Sequence, residues 1–250
     1  MDLNIPDTRQ RVLEQRLKDG QQIVATEVAL EFAVSVDTIR RDILSLEAMG
    51  RAHRVRGGAV PVSQSVSPLH KRLEGPEPHP ALISAALEQV ADATTLILDG
   101  GTTVLALARR LPLQQGRLVV TPSPWVAIAC QENGCAVFLL GGALSASGGV
   151  SVGDFALERM AGISADVAVL GACGLDVDFG LSSDDFGESN LKKAMHGAAR
   201  QTVVLTDSDK IGRRARHHTL GLAKIDQVIT DAKTDQVADL MAAGVSVIHA

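Results

Sequence analysis

Several residue types are scarce in this chain of 250 residues, and each scarcity excludes a class of protein. Aromatic residues make up 2%, with no tyrosine and one tryptophan, so the core must rest on leucine, valine, isoleucine and alanine. Three cysteines are an odd number and too few for a disulfide framework. No uninterrupted apolar run approaches the roughly 20 residues of a membrane helix. The first residues, MDLNIP, lack the basic and apolar regions of a secretory signal. These absences predict a cytoplasmic protein without a membrane anchor.

The charge balance excludes a general polyanion binder. The formal net charge is -5, yet residues 1–59 hold nine basic and nine acidic side chains, leaving 15 and 20 for the remainder. Between Arg40 and Arg56 lie five arginines and only two acidic residues. Affinity for nucleic acid must therefore come from a local basic patch rather than from the bulk charge.

The first part of the chain predicts a first helix through Leu13 and then two more helices joined by a short break. Thr26 is the predicted cap of the second helix, with Val28, Leu30 and Phe32 as its buried positions. Ser35 is the predicted cap of the third helix, which runs to about residue 49.

The third helix carries one apolar stripe, formed by Val36, Ile39, Ile43 and Leu46. Arg40 and Arg41 are therefore predicted to point away from the core, and residues 51–59 predict a short β-hairpin rich in arginine. A helix-turn-helix with a basic wing places one helix in the DNA major groove. From spacing alone, a structural helical hairpin with solvated arginines remains open. The candidate DNA-binding residues are Ser35, Thr38, Arg40, Arg41, Arg54 and Arg56.

Residues 60–80 contain five of the nine prolines and predict an interdomain linker. From Ala81 onward a helix is followed by seven short apolar runs, most of them separated by segments of helical length. This alternation predicts a mainly parallel sheet covered by helices on both faces. The runs are Thr95–Asp99, Leu118–Thr121, Ala136–Leu140, Val167–Leu170, Val203–Leu205, Gln227–Thr230 and Val245–Ile248.

A glycine loop joins the first of these strands to a helix and predicts a phosphate site. Gly100 and Gly101 let the backbone approach a ligand, and Thr102 and Thr103 add hydroxyl donors beside the amides of a helix N-terminus. Ligands of parallel α/β sheets bind beyond the carboxyl ends of the strands, where this loop lies. A tight turn without a ligand is the alternative for such a loop alone.

Other strand ends carry compatible groups. Gly141 and Gly142 form a second glycine turn, and Lys210 is placed to neutralise a phosphate. Asp99 or Asp207 is a candidate acceptor for sugar hydroxyls. Glu188 and Lys192 lie four residues apart on a predicted helix, where they are either site residues or a surface ion pair.

The motifs together resemble the DeoR family of transcriptional regulators. The amino-terminal signature is carried by residues 34–42 (VSVDTIRRD) and 54–59 (RVRGGA). The second half matches at LDGGTT, VT, LGG, GACGLD, ESNLKK and DSDK, beginning at residues 98, 120, 140, 171, 188 and 207. The segment DDFGE from Asp184 loosely resembles the glycerol-3-phosphate regulon repressors.

This resemblance implies an amino-terminal winged helix-turn-helix over residues 1–59 and a sensor domain over 81–250, similar in fold to ribose-5-phosphate isomerase. It also implies double-stranded operator DNA and a phosphorylated sugar or polyol as partners, with a homodimer or homotetramer as the assembly. Two residues depart from the family pattern: Pro122 replaces the usual Asn, and Asp209 replaces a small polar residue. The effector-binding residues so expected are Asp99, Gly100, Gly101, Thr102, Thr103, Thr121, Gly141, Gly142, Glu188, Lys192, Asp207 and Lys210.

Two other functions compete with a ligand-controlled repressor. A sugar-phosphate isomerase with an attached DNA-binding module needs a base between two sugar carbons, for which Glu188 or Asp185 is available. The acidic and lysine-glycine loops of ribose-5-phosphate isomerases are missing, however. A dinucleotide-reading redox regulator is excluded because no Gly-x-Gly-x-x-Gly follows a strand. No cofactor, metal or catalytic residue is therefore predicted.

Overall fold

The computed structural model describes residues 5–18, 21–49, 51–55, 57–61 and 68–250. The chain divides into two compact units between residues 64 and 65. Residues 60–80 are not a free connection throughout, because a strand extends to Pro61 and a short helix, Leu69–Arg72, belongs to the second unit. Leu69 is buried there.

The first unit is a three-helix domain with a small antiparallel sheet. The predicted third helix and hairpin are both confirmed, and β1 adds a strand beside the hairpin in the order β1-β3-β2. Ile39, Ile43 and Leu46 of the predicted stripe are buried. The helices are α1 (Pro6–Lys18), α2 (Ala25–Glu31) and α3 (Val36–Ala48), and the strands are β1 (Ile23–Val24), β2 (Ala52–Val55) and β3 (Gly58–Pro61).

The predicted start of α2 is wrong. The helix begins at Ala25, and Thr26 provides no cap because the Ala25 N–H donates to the Gly57 carbonyl, 2.8 Å away, as the chain leaves β1. Val28 and Phe32 are buried as predicted because they lie four residues apart on one face of the helix, whereas Leu30 lies on the opposite face and is 85% exposed.

A buried ion pair fixes α1 against α3. The Arg9 guanidinium donates to both carboxylate oxygens of Asp42, and Gln10 Nε2 donates to Asp42 Oδ1 over 3.0 Å. The pair holds the solvent face of α3 in a fixed orientation within this unit.

The second unit is built on a seven-stranded parallel sheet, as predicted. All seven apolar runs are strands of this sheet. Successive side chains along a strand pack into the two hydrophobic cores on opposite faces of the sheet: Leu96 and Leu98 belong to one core and Ile97 to the other. The sheet strands are β4 (Thr95–Leu98), β5 (Leu118–Thr121), β6 (Ala136–Leu139), β9 (Ala165–Gly171), β12 (Ala199–Thr206), β14 (Gln227–Thr230) and β15 (Ser246–His249).

Helices cover both faces of the sheet. The second unit holds α4 (Leu69–Arg72), α5 (Pro80–Gln89), α6 (Thr102–Arg110), α7 (Pro124–Glu132), α8 (Asp154–Ala161), α9 (Phe186–Ala198) and α10 (Thr234–Ala242). Smaller antiparallel sheets are formed by β7 (Ala143–Leu144) with β8 (Ser151–Val152), and by β10 (Gly174–Asp176), β11 (Gly180–Ser183) and β13 (His217–Leu220).

The strand order places a crevice at the middle of the sheet. The order is β15-β14-β12-β9-β4-β5-β6, so the chain runs outward from β4 to β6 and then returns to β9 on the other side of β4. The loops that follow β4 and β9 therefore diverge at their carboxyl ends. In open parallel sheets this reversal of direction is where ligands bind.

Candidate functional site

The exposed face of α3 begins with a hydroxyl cap, as predicted. Ser35 Oγ accepts from the Thr38 N–H at 3.1 Å and lies 2.8 Å from Thr38 Oγ1. Arg40 is exposed and pairs with Asp37 at 3.0 Å. Arg41 is exposed and makes no ion pair with any described residue. Arg41 is thus the most available cation on this face for a phosphate or a base edge.

The hairpin wing is tied to the same helix. The Arg54 N–H donates to Glu47 Oε1 over 3.2 Å, and its guanidinium lies 3.6 Å from Glu47 Oε2. The Arg54 side chain remains more than half exposed. Arg56, the other predicted wing contact, lies outside the described residues.

A pocket lies at the crevice between β4 and β9. It encloses about 550 Å³ of empty space, counting its open mouth. Its walls come from the carboxyl ends of β4, β9 and β12, the first turn of α6, the buried face of α9, and α4. The expected site residues that line it are Asp99, Gly100, Gly101, Thr102, Thr103, Glu188, Lys192, Asp207 and Lys210.

The glycine loop forms one end of the pocket. Gly101 has a φ of +97°, a conformation that other residues rarely adopt, and α6 begins directly after it with no side-chain cap. A Cβ on Gly100 would lie 2.3 Å from Val150 Cγ1, so only glycine fits against that side chain. The first amides of α6 therefore stay available to a ligand, and the helix end favours an anion.

Asp99 and Lys192 are a buried ion pair on the floor of the pocket. Asp99 Oδ2 accepts from Lys192 Nζ at 2.5 Å and from the Gly171 N–H at 3.0 Å. Lys192 Nζ also donates to the Gly171 carbonyl. Burial lowers the pKa of Lys192, but the charge of Asp99, its hydrogen bond with Lys192 and smaller contributions from neighbouring groups together raise that pKa overall. Lys192 is thus a fixed cation, and Asp99 Oδ2 is committed to the protein scaffold.

Glu188 is held by a loop of small residues, 145–150, which we name the serine-glycine loop. Glu188 Oε1 accepts from Ser145 Oγ at 2.6 Å, from Ser147 Oγ at 3.1 Å and from the Gly148 N–H at 3.0 Å. The alternative of a surface pair between Glu188 and Lys192 is therefore wrong, since both are buried and each has other partners. All three bonds converge on Oε1, and the same carboxylate lines the pocket.

The loop after β12 supplies a second cation. Lys210 Nζ lies 3.7 Å from Asp207 Oδ1, and both side chains are partly exposed. Burial raises the pKa of Asp207, and the attraction of Lys210 only partly offsets this. An anionic ligand competes with Asp207 for Lys210. Asp209 is exposed and does not line the pocket, so its added charge does not face a ligand there.

Three expected site residues lie elsewhere. Thr121 is fully buried, and its hydroxyl accepts from the Ser123 N–H at 3.1 Å. Gly141 and Gly142 form a turn with positive φ before β7, beside Phe155 and the Val152 carbonyl. Strand β5 lies beyond β4 from the crevice, so its end and that of β6 do not reach the pocket.

The pocket also has walls that the site prediction omitted. Gly171 ends β9, and Ala172 and Cys173 follow it; burial raises the pKa of the Cys173 thiol, so this thiol is a neutral wall. Their motif is recognisable in the sequence, but only the strand order shows that they face the glycine loop. Arg72 is the more important omission, because it is a cation from the predicted linker. No group of three or more metal-ligating side chains occurs among the described residues.

Comparison with known proteins assigns both units. The DeoR C-terminal sensor domain matches residues 81–232, and the DeoR-like helix-turn-helix domain matches residues 9–65. The chain belongs to the DeoR family of transcriptional regulators. This DeoR-family chain is thus a regulator that binds DNA through its first unit and a small-molecule effector through its second.

Relatives match along nearly the whole chain. The HTH-type transcriptional regulator GlpR of Haloferax volcanii is 32% identical over 249 residues, covering 98% of each chain. The glycerol-3-phosphate regulon repressor of Escherichia coli is 32% identical over 216 residues, covering 85% of this chain and 86% of the other. Both names are those of regulators rather than enzymes, and the isomerase alternative is not favoured.

Among solved structures, ribose 5-phosphate isomerase A of Methanocaldococcus jannaschii matches 52% of this chain and 51% of its own, with 17% identity and a TM-score of 0.37. The parallel sheet and the sensor-domain match carry the fold assignment. Within the described residues, no helix is long and apolar enough to cross a membrane.

Proposed function

We propose that this DeoR-family regulator represses genes of carbohydrate or polyol metabolism and leaves its operator when a phosphorylated sugar or polyol binds the pocket of the second unit. The observation that carries this proposal is the composition of that pocket. An uncapped helix N-terminus and Lys210 stand at the same pocket as a buried carboxylate, Glu188. The first two suit a phosphate, and the carboxylate suits hydroxyl groups.

The glycine loop supports a phosphate at one end of the ligand. The first amides of α6, the hydroxyls of Thr102 and Thr103, and the partly exposed Lys210 all line one pocket. A helix N-terminus provides both unpaired N–H donors and a favourable dipole for an anion. Lys210 adds a point charge, and a phosphate in the pocket can draw this lysine away from Asp207.

Glu188 supports hydroxyl groups at the other end of the ligand. An ionised carboxylate has about four acceptor positions, and the three protein donors all address Oε1. Oε2 therefore stays available to accept from hydroxyl groups of a polyol or sugar. A compound with one phosphate and several hydroxyls matches both ends, which agrees with the name of the Escherichia coli relative.

We further propose that the functional assembly is a homodimer or homotetramer. A helix-turn-helix reads operators as two half-sites related by symmetry, so one protomer covers only one half-site. Effector binding then acts by favouring an assembly whose paired helices no longer match the two half-sites. Light scattering of the purified protein tests this, and a strict monomer on operator DNA contradicts it.

A paired thermal-shift screen tests the ligand class. Each phosphorylated compound is compared with its unphosphorylated partner, for example glycerol 3-phosphate with glycerol and fructose 6-phosphate with fructose. Binding to the native state raises the melting temperature, so only phosphorylated members should do so. Lys210→Gln should lose most of that rise, whereas Lys224→Gln, an exposed lysine outside the pocket, should retain it. A rise with neither member of any pair contradicts the proposal.

A further inference from the structure

Arg72 is the pocket residue that stands closest along the chain to the DNA-binding unit. It ends α4, the first helix of the second unit, a few residues after the unit boundary between residues 64 and 65. Its side chain lines the same pocket as Thr102 and Lys210. No motif marked it, because it lies in the proline-rich stretch predicted as a linker.

The Arg72 guanidinium has unused hydrogen-bonding capacity. Nη2 donates to the Ser147 carbonyl over 3.3 Å, a long bond. Nε is buried and has no partner. A guanidinium carries five N–H donors in a planar fork that matches the oxygens of a phosphate or carboxylate. A buried donor without a partner is costly, and an anion in the pocket would remove that cost.

The contacts of Arg72 connect three parts of the second unit. Ser147, whose carbonyl accepts from Arg72, also donates through Oγ to Glu188. Gly149 of the same serine-glycine loop packs against Leu69, since a Cβ built there would lie 3.7 Å from the Leu69 Cβ. The loop therefore touches both the buried pocket carboxylate and the helix that follows the domain connection.

We infer that Arg72 binds the anionic group of the effector and thereby transmits effector binding to the connection with the DNA-binding unit. This inference rests on the proposed function and adds to it the residue that couples the two units. When an anion binds the Arg72 guanidinium, hydrogen bonds to the anion replace the bond to the Ser147 carbonyl, and α4 shifts relative to the serine-glycine loop. Ligand hydroxyl groups that bind Glu188 act on the same loop, because Ser145 and Ser147 donate hydrogen bonds to that carboxylate.

The physical requirement for such coupling is a difference in affinity between two states. A ligand shifts an equilibrium only as far as it binds one state better than the other. Without ligand the Arg72 guanidinium has only a long hydrogen bond to the Ser147 carbonyl, whereas with ligand it has a charged partner. The free energy that Arg72 contributes therefore differs between the two states. Lys210 and the α6 amides have no such link to the domain connection in the described contacts.

The test uses the full-length protein and an operator selected by it from random duplexes. The variants are Arg72→Gln, Arg72→Lys and, as a matched control, Arg200→Gln, an exposed arginine at the opposite end of β12 from the pocket. Calorimetry measures affinity for inorganic phosphate and glycerol 3-phosphate. Fluorescence anisotropy then measures operator affinity with glycerol 3-phosphate at a concentration that saturates each variant.

We expect Arg72→Gln to bind both anions about tenfold or more weakly, and to keep its operator even when saturated. Arg72→Lys retains the charge but not the fork, so it should bind with intermediate affinity and release the operator incompletely. This variant decides the matter if Arg72→Gln does not fold. Arg200→Gln should behave as the wild type.

Two results overturn the inference, and they are distinguishable. If the wild type and both Arg72 variants bind the anions equally, or if saturated Arg72 variants release the operator as the wild type does, Arg72 is not the coupling residue and the proposed function stands. If the wild-type protein binds neither anion nor any phosphorylated compound of the thermal-shift screen, the proposed function fails and this inference fails with it.

Discussion

Lys192 and Asp99 show what one buried residue does for this pocket. Their side chains are 7% and 4% exposed, and the pair joins α9 to the ends of β4 and β9. The sequence predicted both residues at the site but suggested Glu188, four residues earlier, as the partner of Lys192. Spacing along a helix identifies neighbours on that helix, whereas Asp99 is brought to Lys192 only by the order of the strands.

Replacing one partner of this pair should be costly. We expect Lys192→Met to lower the free energy of unfolding by about 3–5 kcal/mol, because Asp99 is left charged and buried without its cation. Chemical denaturation of the variant measures the loss. The double variant Lys192→Met with Asp99→Asn should recover part of it, and a loss below about 1 kcal/mol in the single variant would contradict the buried pair.

Asp207 gives a prediction about pH. Because its pKa is raised in the folded protein, ionisation of Asp207 lowers stability as pH rises from the unfolded value of about 3.9 to the raised value. Asp207→Asn should therefore raise the melting temperature at neutral pH, and the gain should vanish as pH falls below about 4. A gain that is the same at pH 3 and pH 7 would exclude this cause.

At the scale of elements, the sequence predicted the strands better than the site. All seven strands of the main sheet were recognisable because a strand buried on both faces is a continuous apolar run. The β10-β11-β13 sheet was missed, since β13 begins with two histidines and shows no such run. Strand order depends on contacts distant in sequence, so the sequence could not show that Thr121 and the Gly141–Gly142 turn, which were expected at the effector site, do not line the pocket.

The two caps predicted for the first unit, at Ser35 and Thr26, give a matched test at this scale. Ser35→Ala should cost about 0.5–2 kcal/mol of stability, because the Thr38 N–H loses its side-chain acceptor and keeps only the Ser35 carbonyl. Thr26→Ala should cost almost nothing, since Thr26 is exposed and α2 has no side-chain cap. Thermal unfolding of both variants measures the difference. Equal losses would mean that α2 starts as the sequence had suggested.

The serine-glycine loop gives another element-scale prediction. A Cβ on Gly148 would lie 2.4 Å from Glu188 Oε1, so Gly148→Ala should displace the loop or the carboxylate and weaken effector binding. Gly197→Ala is the control, because Gly197 lies in α9 with open space around its Cβ position. That variant should gain up to about 1 kcal/mol of stability. Calorimetry and denaturation read both effects.

At the scale of the whole molecule, DNA binding should depend on a few arginines rather than on net charge. Arg41→Gln should weaken operator binding and reduce the slope of log affinity against log salt by about one, as for one lost phosphate contact. Arg16, which pairs with Glu31 in the same unit, provides the matched control. Anisotropy titrations at several salt concentrations measure the slopes. An unchanged slope for Arg41→Gln would show that Arg41, on the exposed face of α3, makes no phosphate contact with the operator.

The most direct test of the account is a crystal structure of the full chain with glycerol 3-phosphate or another compound that raises its melting temperature. We predict phosphate oxygens within hydrogen-bond distance of the Thr102 and Thr103 amides and of Lys210, with ligand hydroxyls toward Glu188. A ligand bound at saturating concentration with its phosphate elsewhere, and the α6 amides left empty, would contradict the central claim that this pocket is the sensor.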